Sequence, residues 1–543
     1  MKKTLKGLSA ILMTSVLAVS ASAATVGSLT ASAGSIKVKT AADTNNAYKA
    51  YPILTGTLTE GKLSNVDFSD ALPTTTDSSG KKHLSDDLVS ALKTKSGLTA
   101  FASLSTDTTP TQFADMIANL ADKSADAEKF AKIIGRYVAS SEAIAISTDA
   151  TPVADGYYIV KEEGTGAPKT LNLLKVAGNA AIDVKETTPS SDKTVTDVND
   201  SKNVADTHTK TADYDIGDNV PYVLTFTLPS DYSRYEKYPI TFTDTMSAGL
   251  SFDKSAEIFY GTGDTTGDAI TFSGPTAVTG GNQYTYQVDL KALQATEAAK
   301  TAADQDEDIM GISKGTVIRI EYTATLNDNA VIGGTGNPNT YTVEYANDPN
   351  WVPSDDTPGT PETPPENPPT GTTPESKNVV FTYQLTVNKK DDDGNSLNGA
   401  TFKLSKWTDK EKAADINGTS WKQVDVIQLT DAATFDFKGL DDGIYKLEET
   451  AAPAHYNPIA PIKFEITAEH IDSTYTLDTI QTDLTDATVT NGVISVDIKN
   501  NKGIQLPSTG GMGTTIFYIV GGLMISGALV LLIVKKRMSI KEK

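Results

Sequence analysis

Ile318-Arg319-Ile320-Glu321-Tyr322-Thr323-Ala324-Thr325-Leu326 alternates apolar and polar side chains at every step, the pattern of a strand with one face in a core and the other in water. The same two-residue period runs through residues 220–228 and 340–345, and helix signals are few between 186 and 350. Such a stretch reads as an antiparallel β-sandwich. Residues 379–503 form a second strand-rich unit. Ahead of both, residues 34–184 carry the clearest helical periodicity: Phe113, Met116, Ile117 and Leu120, then Phe130, Ile133, Ile134 and Tyr137, recur at i, i+3, i+4 and i+7. Gly156-Tyr157-Tyr158-Ile159-Val160 reads as a strand closing that first domain. The expected fold is mainly β, with two tandem sandwiches behind a mixed α/β N-terminal domain. Residues 353–374 hold eight prolines among Thr, Glu, Asp and Gly. That composition makes a stiff, solvated linker, here expected over 351–378, and argues against close contact between the sandwiches it joins.

Both ends of the chain carry export signals. Lys2, Lys3 and Lys6 precede an apolar run over 8–19 and the small-x-small sequence Ala21-Ser22-Ala23, a signal peptide expected to end at residue 23. Residues 516–534 are uncharged, and at 1.5 Å per residue they make about 28 Å of helix, enough to cross a bilayer core. Lys535, Lys536 and Arg537 follow, with Lys541 and Lys543 beyond, which keeps the short tail cytoplasmic.

Composition narrows the function classes. Between the signal peptide and residue 509 there are 39 basic against 68 acidic side chains, 39 minus 68 giving −29; such a surface repels nucleic acid and anionic membrane. Cysteine is absent, which removes disulfides, thiol nucleophiles and Cys/His zinc sites from an exported protein. The histidines, His83, His208, His455 and His470, show no metal-ligand spacing. Asp391-Asp392-Asp393-Gly394 fails as a calcium loop, because aligning Gly394 with loop position 6 puts Lys389 at position 1 and Ala400 where the bidentate Glu belongs. No enzyme activity on an outside substrate, no metal and no cofactor is expected.

The order Leu506-Pro507-Ser508-Thr509-Gly510, apolar span, basic tail resembles the cell-wall sorting signal of Gram-positive surface proteins. The resemblance implies that a sortase transpeptidase cuts between Thr509 and Gly510, holds Thr509 as a thioester and passes it to an amine, after transient membrane anchoring. Further motifs extend the resemblance along the chain: Asn46-Ala47-Tyr48-Lys49-Ala50-Tyr51-Pro52-Ile53-Leu54-Thr55-Gly56 in the first domain; Asp215-Ile216-Gly217-Asp218, Phe242-Thr243-Asp244-Thr245 and Gly336-Asn337-Pro338-Asn339 in the second; Tyr445-Lys446-Leu447-Glu448-Glu449-Thr450-Ala451-Ala452-Pro453 in the third. Together they resemble the backbone pilins of sortase-assembled pili, with an isopeptide-forming fimbrial domain over 185–350 and a collagen-adhesin B-type domain over 379–503, both immunoglobulin-like. His455 departs from the pattern, which usually has Gly before Tyr456.

The resemblance also implies three chemical sites. In each sandwich a Lys near the start, an Asn near the end and an acid between them would join as a Lys–Asn amide: Lys193, Asp244 and Asn347 in the second domain, Lys389, Glu449 and Asn500 in the third, where Glu449 matches the catalytic acid of the motif called the E-box. The chemistry is sound, because burial favours the neutral, nucleophilic amine, and a carboxyl beside the Asn shuttles protons as ammonia leaves. On spacing alone, surface lysines and turn-capping asparagines account for these residues better, and it is the resemblance that favours the crosslinks. The third site is an acceptor amine: Ile182-Asp183-Val184-Lys185-Glu186 aligns with the pilin motif, making Lys185 the expected attachment point for the Thr of the next subunit, with Lys161, Lys169 and Lys175 as fallbacks. The implied function is a structural shaft subunit, whose partners are the sortase, further copies of itself, accessory pilins and peptidoglycan, at the cell wall and surface pilus. The alternative is a monomeric or pilus-tip adhesin, for which the nearest approach to an Asp-x-Ser-x-Ser metal site, Asp67-Phe68-Ser69-Asp70-Ala71, lacks the second Ser.

Overall fold

The computed structural model describes residues 33–39, 46–59, 62–121, 124–164, 171–176, 179–182, 188–202, 204–261, 270–271, 276–277, 282–353, 359–360, 366–503 and 512–540. The signal peptide, Lys169, Lys185 and the pentapeptide 506–510 lie outside the described residues.

In the first domain the long strand Asn46–Thr59 pairs with Lys62–Phe68, Ile144–Ile146 and Gly156–Gly164, and Leu171–Val176 extends the sheet. A small second sheet centres on Ala33–Val38. The expected helix pair is present as Pro110–Ala118 and Ala125–Tyr137. The first begins at a capping box, in which Thr109 and Gln112 satisfy each other's end of the turn and Pro110 supplies a preset φ. Phe113 and Phe130 from the two helices meet Phe101, which stacks on Phe130 at 5.1 Å between ring centroids.

The second domain is a sandwich of two sheets. One runs, in spatial order, Val204–Thr209, Ser190–Asn199, Asn219–Thr227, Val317–Leu326, Leu250–Gly261, Ile270–Thr271. The other runs Thr211–Asp213, Ser376–Phe381, Asn337–Ala346, Pro239–Met246, Gln283–Asp289, Thr276–Ala277. Alternating burial along Asn219–Thr227, Pro239–Met246 and Val317–Leu326 places Tyr222, Leu224, Phe226, Ile240, Phe242, Ile318 and Ile320 in one core.

The third domain packs the sheet Thr434–Leu440, Tyr383–Lys390, Val493–Lys499, Thr488–Thr490 against a five-stranded sheet centred on Gly443–Ala451. Its first and last long strands, Tyr383–Lys390 and Val493–Lys499, are parallel neighbours. The charged run 391–394 forms a turn: Asp391 Oδ1 accepts from the backbone N–H groups of Asp393 and Asn395, and Gly394 takes φ +86°. His455 takes φ +72°, a left-handed conformation that glycine adopts without steric cost. The turn therefore keeps the backbone that a Gly would give it.

The linker differs from the expectation. Thr370–Thr372 and Ser376–Phe381 are strands, and both pair with Asn337–Ala346 of the second domain. The expected boundary at 379 thus falls inside a strand of the second sandwich, and only Thr382 separates it from the first strand of the third. The two domains are in close contact. Ile216 N–H donates to Gly439 O at 2.9 Å, and a Cβ on Gly439 would lie 2.5 Å from the Ile216 side chain. Lys406, buried at the junction, is bound by Asp441 and by Asp215 at 2.8 Å; these carboxylates raise its pKa against the opposing effect of burial. The cause is local: Asp215, Ile216 and Ser201 of the second domain fit glycine-bearing turns of the third, where no long side chain intervenes.

Met512–Ile540 is one helix, and its Phe517–Arg537 portion has a mean hydropathy of 2.5 and none of its surface buried in the protein. It is long and apolar enough to cross a membrane.

Candidate crosslink sites

Each sandwich buries a lysine, which ordinary strands avoid. Lys193 is at an inward position of Ser190–Asn199 and Lys389 at an inward position of Tyr383–Lys390; both are 0% exposed. Burial pulls each ammonium down to a pKa of about 8, partly offset by Asp244 for Lys193 and by Glu449 for Lys389. About a tenth of each amine is then neutral at pH 7, against roughly one in 3,000 for an ordinary lysine.

In the third domain the expected trio is assembled. Both Glu449 carboxylate oxygens accept from Asn500 Nδ2, at 2.8 and 2.9 Å, and the Ile459 N–H holds Oε2 at 2.9 Å. Lys389 Nζ donates to Ile498 O at 3.0 Å, and Asn500 N–H donates to Lys390 O at 3.1 Å, so amine and amide lie at the same end of the parallel strand pair. Asn500 Oδ1 is buried and has no partner among the described residues. A carboxyl that gains a proton beside this amide can polarise it, and the neighbouring amine can attack it.

In the second domain the structure brings together Lys193 and Asp244 but a different asparagine. Lys193 Nζ donates to Asp244 Oδ1 and, at 3.0 Å, to Tyr322 Oη. Tyr322 Oη donates to Asp244 Oδ2 and accepts from Asn339 Nδ2 at 2.8 Å. Asn339 is 0% exposed, and no described residue partners its Oδ1. Asn347 stands just past the end of Asn337–Ala346, where its N–H donates to Pro369 O. Eight residues of strand separate the two asparagines, roughly 27 Å. Asn347 is therefore replaced by Asn339 in this constellation. The sequence did hold a signal for Asn339: it is the last residue of Gly336-Asn337-Pro338-Asn339 and shares the inward face with Tyr341 and Val343.

Comparison with known proteins places the chain. Residues 383–481 match the SpaA prealbumin-like fold domain, and residues 498–539 match the LPXTG cell wall anchor motif. The trypsin-resistant surface T6 protein of Streptococcus pyogenes serotype M6 is 24% identical over 425 residues, 65% of this chain and 70% of that protein. The solved structure of the T6 backbone pilin, described as modular and three-domain, superposes with a TM-score of 0.51 at 17% identity, covering 87% of this chain and 98% of that one. The chain shares its fold with the T6 backbone pilin and carries an LPXTG cell wall anchor motif. The full-length major pilin SpaD of Corynebacterium diphtheriae is also similar, at 17% identity and a TM-score of 0.41, with 87% and 98% covered.

The two sites of this chain differ in how the acid reaches the amide. Glu449 touches Asn500 directly, whereas Asp244, one methylene shorter, meets Asn339 through the Tyr322 hydroxyl. Tyr322 passed unnoticed in the sequence because an aromatic residue at an inward strand position reads as core. Its ring does pack as core, stacked on Tyr222 at 5.3 Å.

Proposed function

We propose that this chain is the structural shaft subunit of a covalently polymerised, sortase-assembled pilus, each copy stiffened by Lys193–Asn339 and Lys389–Asn500 amides. The observation that carries the reading is the pair of buried lysines, each beside a buried acid and a buried asparagine, in a cysteine-free chain that ends in a sorting signal. Burying an amine beside an amide is costly in a protein that only needs to stand on the surface, and it becomes useful once the two react. Sortase joins Thr509 of one copy to Lys185 of the next, and the last Thr509 is passed to peptidoglycan.

Denaturing gels of wall extracts test this. A shaft subunit gives a high-mass ladder; Lys185→Ala abolishes the ladder and leaves anchored monomers, and Thr509→Ala removes both forms. A ladder that persists in the Lys185 variant moves the acceptor to Lys161, Lys169 or Lys175. Monomers alone in the wild type would instead make the chain a wall-anchored adhesin.

A further inference from the structure

We propose that Tyr322 is a catalytic residue of the second-domain crosslink, carrying a proton to the departing nitrogen of Asn339. This rests on the reading of Lys193 and Asn339 as reaction partners and adds to it a member with no counterpart among the described residues bonded to Glu449 and Asn500.

The hydroxyl touches both reacting groups and the acid. It lies 3.0 Å from the nucleophile, Lys193 Nζ, and 2.8 Å from Asn339 Nδ2, and it donates to Asp244 Oδ2. Because its own proton points at Asp244, it must accept from Asn339, and this orients Nδ2, the leaving nitrogen, toward it. Asp244 is hydrogen-bonded to Lys193 and Tyr322, and Tyr322 is the group that bridges it to the amide. Burial, reinforced by the Asp244 charge, holds the Tyr322 proton far more tightly than in water. The phenol thus stays protonated and relays a proton without ionising.

The protons balance. The Lys193 ammonium gives one proton to Asp244 Oδ1 and becomes a neutral amine. Its lone pair attacks Asn339 Cγ, forming the new C–N bond. With Asp244 now neutral, the Tyr322 hydroxyl turns from Oδ2 to the pyramidal Nδ2; the attacking nitrogen passes a second proton to Tyr322 Oη while Tyr322 hands its own to Nδ2, and the Cγ–Nδ2 bond breaks as ammonia leaves. The products are the Lys193–Asn339 amide with one N–H, ammonia, neutral Asp244 and an unchanged Tyr322. No oxidant or cofactor is required.

The test follows the full chain after cell-free synthesis into detergent, digested at intervals, with the two crosslinked peptides quantified by mass. In Tyr322→Phe the ring keeps its stack on Tyr222, and the Lys193–Asn339 peptide should form on the order of 10²-fold more slowly, while Lys389–Asn500 forms at the wild-type rate. Asp244→Glu in the Tyr322→Phe background should recover part of the rate, because the longer carboxylate reaches Nδ2 as Glu449 does. A Phe variant that links as fast as wild type overturns the relay. Absence of the Lys193–Asn339 peptide from the wild type overturns the underlying reading instead. Should residues 188–381 of the Phe variant be cut by trypsin faster than those of the wild type, 3-fluorotyrosine installed at position 322 decides. It keeps the hydroxyl and the packing while loosening the proton, so a changed rate in the second domain alone supports the relay and unchanged rates at both sites overturn it.

Discussion

Replacing Asn339 and Asn347 by Ala, one at a time, separates the two candidate second-domain crosslinks with a large difference in stability. A bond from Lys193 to Asn339 closes a loop of 146 residues, 339 minus 193, and the chain-entropy relation gives about 5 kcal/mol for a loop of that size. For a domain of this length each kcal/mol moves Tm by roughly 2–4 °C, so Asn339→Ala should lower the second-domain transition by on the order of 10–20 °C. The lost Asn339–Tyr322 hydrogen bond adds only about 1–2 kcal/mol. Asn347→Ala lies roughly 27 Å along the strand from the buried amine and should keep the crosslink, with at most about 1–2 kcal/mol lost from one polar side chain. Scanning calorimetry of the full chain gives the transitions, and intact mass counts the bonds, each crosslink lowering the mass by about 17 Da as ammonia departs. A deficit of two ammonia masses retained by Asn339→Ala and reduced to one by Asn347→Ala would refute the assignment.

Further expectations follow from the same geometry. Glu449→Ala should leave the third domain folded with Lys389 and Asn500 unjoined, restoring one ammonia of mass and removing about 5 kcal/mol of loop-closure stabilisation; an unchanged mass would rule out Glu449 as the acid. Because burial lowers Lys193 and Lys389 to a pKa of about 8, the neutral fraction should rise about tenfold per pH unit below that value and level off above it. In a slowed third-domain variant such as Glu449→Gln, where no carboxylate takes the lysine proton directly, time-resolved mass should show the Lys389–Asn500 linking rate following that curve, and a rate flat from pH 6 to 9 would contradict it. For any chain not yet linked the stability sign is the same: a lysine pKa below its unfolded value means the unfolded chain binds more protons between about 8 and 10.5, so stability rises with pH there. His455→Gly relieves the left-handed strain at φ +72° and should raise third-domain stability by about 1 kcal/mol, read by chemical denaturation; no gain would mean that the turn is not strained. If subunits are joined from Lys185 to Thr509 as proposed, the first domain lies outside the path of tension, and its helix pair should open first, seen as the earliest amide exchange in Pro110–Ala118 and Ala125–Tyr137.

What the sequence made legible was set by period and by local motif. Alternation along 318–326 gave the sandwich, i, i+3, i+4 spacing gave both helices, and the Tyr445 to Pro453 motif singled out Glu449, which the structure sets against Asn500. Register between strands is set by contacts far apart in the chain and did not show. Asn339 and Asn347 have the same parity, and only the pairing of Asp244 with Tyr341 and of Met246 with Asn339 fixes which of them the buried amine meets. Tyr322 was hidden by its own packing, since a polar tip on an inward aromatic cannot be told from an ordinary core tyrosine without its partners. The strand Ser376–Phe381 was lost for a third reason: its apolar run follows a proline-rich segment and leads straight into the next domain, and linear reading assigned it forward when its hydrogen bonds run back to Asn337–Ala346.

That strand has a mechanical consequence. Asn339 lies directly opposite Asn378 in the ladder between Asn337–Ala346 and Ser376–Phe381, so in the proposed polymer tension arriving through a Lys193–Asn339 amide would cross sideways into the strand that feeds the third domain. Residues 340–377, proline segment included, then carry no load. The ladder between Ser376–Phe381 and Asn337–Ala346 acts as a clip between the two proposed crosslinks. If the clip is pulled open, Ser376–Phe381 leaves the second sandwich and residues 347–377 pay out at roughly 3.4 Å per residue, on the order of 100 Å, while Asn337–Ala346 stays paired with Pro239–Met246. When tension falls the ladder can zip again, so each subunit would hold a resettable fuse in a fibre otherwise joined by bonds that do not reopen. Pulling single polymers should show one reversible step of that size per subunit, and a fibre that stays inextensible until it breaks would show that the clip does not yield.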